Sequence, residues 1–100
     1  MTFFEYACRE VNKTYKRCGY AGICGAAKIP GGYVFGADLG PKDDGKTVFA
    51  DDYLFAFEDT KEIHMLDWRS EKYNELLDQA VVVEVPDKYL SPRILAQKID

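Results

Sequence analysis

Gly40-Pro41-Lys42-Asp43-Asp44-Gly45-Lys46-Thr47 satisfies the phosphate-loop pattern GxxxxGK[ST] letter by letter, and residues 53–57 followed by Glu58 and Asp59 have the outline of a metal-binding strand. The chemistry of such a loop requires a buried strand before it, backbone amides wrapped around phosphate, and a following helix whose N-terminus faces the anion. The residues after Thr47, Val48-Phe49-Ala50-Asp51-Asp52-Tyr53-Leu54-Phe55, read as strand and turn rather than as that helix. Asp43 and Asp44 bring negative charge into the cradle, and too few residues separate the two motifs for a crossover unit. A hydrated connection shaped by Gly40, Pro41 and Gly45 accounts for the same residues, and no nucleotide cofactor is expected.

Nucleophilic or metal chemistry has few other sources. Cys8, Cys18 and Cys24 with His64 supply four soft ligands in number, but not the short paired spacing of a zinc site, so no metal is expected. A cysteine activated by His64 needs the two side chains to meet, which their separation in sequence does not indicate. The expectation is small hydrophobes that pack as reduced thiols, and no catalytic residue. Asp43, Asp44, Asp51, Asp52, Glu58 and Asp59 concentrate negative charge around the central hairpins. Their spacing is not that of an EF-hand, and they suit a basic protein surface better than a hard cation. Trp68 adds an aromatic anchor with a polar edge, as Tyr33, Tyr53 and Tyr73 also do if they are not taken up by the core.

Composition narrows the classes further. The chain has 100 residues, 47% of them hydrophobic and 14% aromatic, with charges spread along its length, which suits one packed domain over residues 1–100. A net charge of −4 argues against a partner held by phosphate neutralisation, so no nucleic acid is expected. No basic segment leads into an apolar run of membrane-spanning length, and the expected location is the cytoplasm, with no membrane partner.

These residues must be positioned by elements that the pattern makes legible. Thr2 with Glu5 three residues on forms a capping-box signature, after which Phe4, Ala7, Cys8, Val11 and Tyr15 recur at helical spacing until Gly19. Glycines punctuate residues 20–36, predicting a weak strand over 21–28, a turn at Ile29-Pro30-Gly31-Gly32 and a firmer strand over 32–38. A strand over 47–58 follows, with Tyr53, Phe55 and Phe57 on one face; a hairpin through Glu58-Asp59-Thr60-Lys61 leads into 63–66. Ser70 caps a short helix carrying Tyr73, Leu76 and Leu77; residues 81–85 read as a strand; and Ser91-Pro92 opens a final helix carrying Ile94, Leu95 and Ile99. The expected fold is α+β: an N-terminal helix packed on an antiparallel meander of about four strands, with a short helix and a C-terminal helix.

Gly31-Gly32-Tyr33-Val34-Phe35, with Asp52-Tyr53-Leu54-Phe55-Ala56-Phe57-Glu58-Asp59-Thr60-Lys61-Glu62-Ile63-His64, resembles small bacterial immunity proteins of the type 35 group over about half the chain. The resemblance implies a leading helix against an antiparallel sheet and a non-enzymatic role in neutralising a toxin; it transfers no toxin-contacting residue. The expected function is therefore a small protein-binding or inhibitor protein whose partner is a basic toxin or defence component. Its candidate surface is Asp43, Asp44, Asp51, Asp52, Glu58, Asp59 and Trp68. A phage-encoded inhibitor of a bacterial defence system is the related alternative, and a small nucleotide-binding or cysteine-dependent enzyme is the alternative from another class.

Overall fold

The structure, a computed structural model, describes residues 2–38 and 49–99. It begins with α1 (Phe3–Arg17), whose N-terminus is capped by Thr2 Oγ1 accepting from the Glu5 N–H at 3.2 Å. The helix ends where Gly19 takes φ 88°. There the Gly19 N–H reaches Lys16 O and the Tyr20 N–H reaches Tyr15 O, the two bonds that close a Schellman ending.

Five strands follow, β1 (Gly22–Ile29), β2 (Gly32–Asp38), β3 (Phe49–Phe57), β4 (Glu62–His64) and β5 (Val81–Val83), all antiparallel in the order β4-β3-β2-β1-β5. This is one strand more than the expected meander of about four. The glycine-punctuated β1, expected as a weak strand over 21–28, is paired on both sides, with β2 and β5. β1 and β2 join through Pro30 and Gly31, the latter at φ 82°, a value glycine adopts without strain. At Gly32 the strands approach so closely that an added Cβ would sit 1.8 Å from Ala56 O.

The period of two divides the strands between two layers. Ile23, Ala26, Phe35, Ala37, Leu54 and Ala56 face α1, which contributes Ala7, Cys8, Val11 and Tyr15 to the larger core cluster. The Tyr15 hydroxyl donates to Phe35 O at 3.0 Å, so its polar end is satisfied in that buried layer. The opposite face carries Val34, Tyr53, Phe55 and Phe57 under α2 (Glu71–Asp78). The three alternating rings of β3 do share a face, and it is the α2 face: Tyr73 lies 5.6 Å from Phe55 and 6.3 Å from Tyr53, ring to ring. Full burial of Phe35 and Phe55 on opposite sides gives each layer an aromatic centre, whose truncation costs about 3–5 kcal/mol.

Ile23 and Gly25 pair with Ala37 and Gly36, which leaves Cys24 as the extra residue of a bulge. That bulge is why Ile23 and Ala26, three apart, both face α1, and why simple alternation failed to mark β1 strongly. After β5 the chain makes a 3-10 turn at Asp87–Tyr89, a parallel bridge from Leu90 to Ile23, and α3 (Pro92–Ile99). No helix among the described residues is long and apolar enough to cross a membrane.

Candidate functional site

The β3–β4 hairpin and the connection into α2 present the chemistry most exposed to a partner. The Glu58 N–H donates to Gly31 O at 2.9 Å, and the Glu62 N–H donates to Thr60 Oγ1 at 3.2 Å. Lys61 takes φ 57° to complete the turn. These bonds fix the backbone while leaving Glu58 and Asp59 exposed. Beyond β4, Asp67 Oδ1 accepts from the Arg69 N–H at 2.9 Å and Asp67 O accepts from Ser70 Oγ at 2.7 Å. Ser70 Oγ in turn accepts from the Tyr73 N–H, capping α2.

This turn holds Trp68 65% exposed, with the Arg69 guanidinium 5.3 Å from its ring, and Met65 nearby in sequence is 56% exposed. Large side chains that remain in water while the backbone beneath them is hydrogen-bonded are suited to recognition, because less order must be acquired on binding. Around them, the segment from Glu58 to Asp78 carries seven carboxylates, Glu58, Asp59, Glu62, Asp67, Glu71, Glu75 and Asp78, against three cations, Lys61, Arg69 and Lys72. All seven carboxylates are exposed. Lys72, itself exposed, has its Nζ 4.7 Å from the Phe57 ring. The segment thus exposes an excess of carboxylates together with Trp68 and Met65.

Of the residues expected at the site, Glu58, Asp59 and Trp68 fall in this segment. Asp51 and Asp52 belong to β3, and Asp43 and Asp44 lie outside the described residues. Met65 and the carboxylates of α2 were not singled out in the sequence. The polar side of the α2 helical pattern was the signal that could have found Glu71, Glu75 and Asp78.

The alternative built on thiols finds little geometry among the described residues. Cys8 is wholly buried in α1, where burial first and the Glu5 charge second push its thiol up to about 12. Burial, then the Asp38 charge, push the Cys24 thiol up to about 11. Thiols so displaced carry almost no thiolate at neutral pH and are poor nucleophiles. Cys18 is exposed after α1. His64 Nδ1 lies 3.2 Å from Met65 O and Nε2 3.9 Å from Glu62, with no cysteine in those contacts. Among the described residues no three His, Cys, Asp or Glu side chains are grouped to hold a metal. The phosphate-loop pattern lies outside the described residues except for its sequel, and that sequel is the strand β3 from Phe49.

Two concavities among the described residues lie near these elements. One, of about 240 Å³, is apolar and lies on the α2 face, bounded by Cys24, Val34, Gly36, Tyr53, Leu77 and Ala80. The other, about 350 Å³, sits between the start of α1 and the β3–β4 turn, bounded by Thr2, Phe3, Tyr6, Glu58 and Lys61. Glu58 and Lys61 of the turn line it together with Phe3 and Tyr6 of α1.

A buried polar cluster was not legible in the sequence. Asp38, wholly buried at the end of β2, accepts from Ser91 Oγ at 2.6 Å and from the Arg93 guanidinium. The Ser91 N–H donates to Ile23 O at 3.0 Å, and Ser91 Oγ accepts from the Ile94 N–H at 3.4 Å. Serine here is a donor to a carboxylate and a helix cap, so the arrangement clamps α3 to the sheet. Comparison of the chain with family models, curated proteins and solved structures finds no match.

Proposed function

We propose that this chain is a small non-enzymatic protein-binding protein of the immunity type, which neutralises a basic protein toxin by covering it with the acidic surface around Trp68. The observation that carries the reading is the exposure of Trp68, fixed on a hydrogen-bonded turn and set among exposed carboxylates. A solvent-facing tryptophan on an ordered backbone gives a partner a large area to bury. The acid excess of the same segment accelerates encounter with a cationic surface and gives little toward nucleic acid. The resemblance of residues 31–35 and 52–64 to immunity proteins of the type 35 group points the same way.

The test is functional and structural together. Genes adjacent to the one encoding this chain are expressed singly in a bacterial host, with and without the chain, and growth is scored. Rescue of a toxic neighbour, together with a stoichiometric complex that weakens with salt, is the expected result. Toxicity that persists alongside the chain, with no complex at low salt, contradicts the reading. Relief of a defence system instead of a toxin selects the counter-defence form of the same binding function.

A further inference from the structure

The two edges of the sheet are built differently. The β4 edge consists of Glu62, Ile63 and His64, preceded by Lys61, and such charged edges resist pairing with another strand. The β5 edge consists of three valines with no charge and no proline among them. One side of β5 pairs with β1, matching Val81, Val82 and Val83 to Lys28, Ala27 and Ala26, and among the described residues no strand pairs with the other. Val81 is 66% and Val82 86% exposed, the highest exposure of any large hydrophobic side chain described. Apolar β-branched residues on an open edge are the feature that sheets ordinarily cover or charge.

We propose that β5 is a self-pairing edge, through which two copies of this chain join antiparallel about a twofold axis at Val82, extending two five-stranded sheets into one of ten. The inference is independent of the toxin-binding surface. The occupant follows from the sequence flanking the strand. Centring on Val82 sets Val82 against its own copy, Val81 against Val83, and Ala80 against Glu84, so only apolar pairs meet within the strand and no like charges face each other. Centring on Val81 places Glu84 opposite Asp78, two carboxylates; centring on Val83 places Glu84 opposite Val82 and Pro86 opposite Ala80. The valine strand is thus complementary to itself in one register, and the two neighbouring registers each carry a repulsive or non-pairing contact.

Three paired residues cover less surface than a permanent dimer does, so the association is concentration-dependent. Sedimentation equilibrium is run on the full chain from about 20 to about 500 µM, a range suited to a small interface. The mass average is expected to rise toward twice the monomer mass for the native chain and to stay monomeric for Val82→Lys, with the two showing the same far-UV circular dichroism. A native chain that is monomeric throughout, or a Val82→Lys chain that dimerises equally, overturns the proposal. The register is tested in a Cys18→Ser background, which removes the exposed native thiol. Directly opposed residues lie about 4.5–5.5 Å apart at Cα, inside disulfide range, so Val82→Cys is expected to cross-link to its own copy at least about tenfold faster than Val81→Cys. Equal rates, or faster cross-linking at position 81, overturn the Val82 axis.

Discussion

Ser91 Oγ donates to Asp38 Oδ2 at 2.6 Å, joining the last helix to the end of β2 across fifty-three residues of sequence. The Arg93 guanidinium reaches the other oxygen of the same carboxylate, and Asp38 itself is fully buried. A buried carboxylate held by a hydroxyl and a guanidinium is costly to leave half-paired. Asp38→Ala, which leaves the part-buried Arg93 without this carboxylate, is expected to lower unfolding free energy by about 3–5 kcal/mol. Ser91→Ala, which removes one donor and a helix cap, should cost about 1–3 kcal/mol. Urea unfolding measures both as shifts in midpoint; limited proteolysis should find α3 cleaved earlier in either variant, and cleavage at the native rate would count against the clamp.

The cysteines divide by burial. Cys18 is expected to react readily with a thiol reagent in the native protein, Cys24, of intermediate exposure, more slowly, and Cys8 only after unfolding. Burial raises the Cys8 and Cys24 thiols from the ordinary 9.0 to about 12 and about 11, so between those limits the unfolded chain releases protons that the folded chain retains. Stability is therefore full below pH 9.0 and is lost as pH rises through the folded values, with a slope of at most about 1.4 kcal/mol per pH unit for each thiol. A Cys8→Ala, Cys24→Ala chain should show a shallower decline above pH 9.0 than the native one. Parallel curves in denaturant titrations across that range would contradict the assignment.

Gly32 and Gly31 make different demands on the first hairpin. Gly32→Ala drives a Cβ into Ala56 O, an unyielding backbone atom, and is expected to cost more than about 2 kcal/mol through separation of β2 from β3. Gly31→Ala meets nothing within 4 Å and incurs only the left-handed backbone penalty, about 1 kcal/mol. Thermal unfolding of the two variants should rank them in that order.

At the binding surface, stability and affinity should separate. Trp68→Ala removes a side chain that is mostly in water, so the fold is expected to hold within about 0.5 kcal/mol. The same change should weaken the proposed toxin complex by about 2 kcal/mol or more, roughly thirtyfold. Glu58→Lys with Asp59→Lys should chiefly slow association and flatten its dependence on salt. Calorimetry and stopped-flow mixing read these effects separately.

The fold was largely legible because its elements carry local signals: a capped helix with a clean apolar stripe, a proline-glycine hairpin, and alternating rings in β3. β1 was faint because a bulge at Cys24 breaks its alternation and glycine occupies positions where side chains would have revealed the period. The acidic turn and Trp68 were legible as exposed chemistry, whereas Tyr33, Tyr53 and Tyr73, equally suited by type, are packed against the sheet. The edge position of β5 was hidden, since a run of valines carries the same pattern whether covered or open. The Asp38, Ser91 and Arg93 clamp was hidden for another reason: its members lie far apart in sequence and each has an ordinary local role.

Trp68 is the chain's sole tryptophan, so incorporation of fluorotryptophan gives one 19F resonance that reports only on this position. That resonance is recorded for the labelled chain alone and with the unlabelled partner of the proposed complex. Binding through the acidic surface predicts a shifted resonance whose sensitivity to solvent deuterium is lost in the complex. A stoichiometric complex in which the resonance keeps its free position and its solvent sensitivity would contradict the placement of Trp68 in the interface.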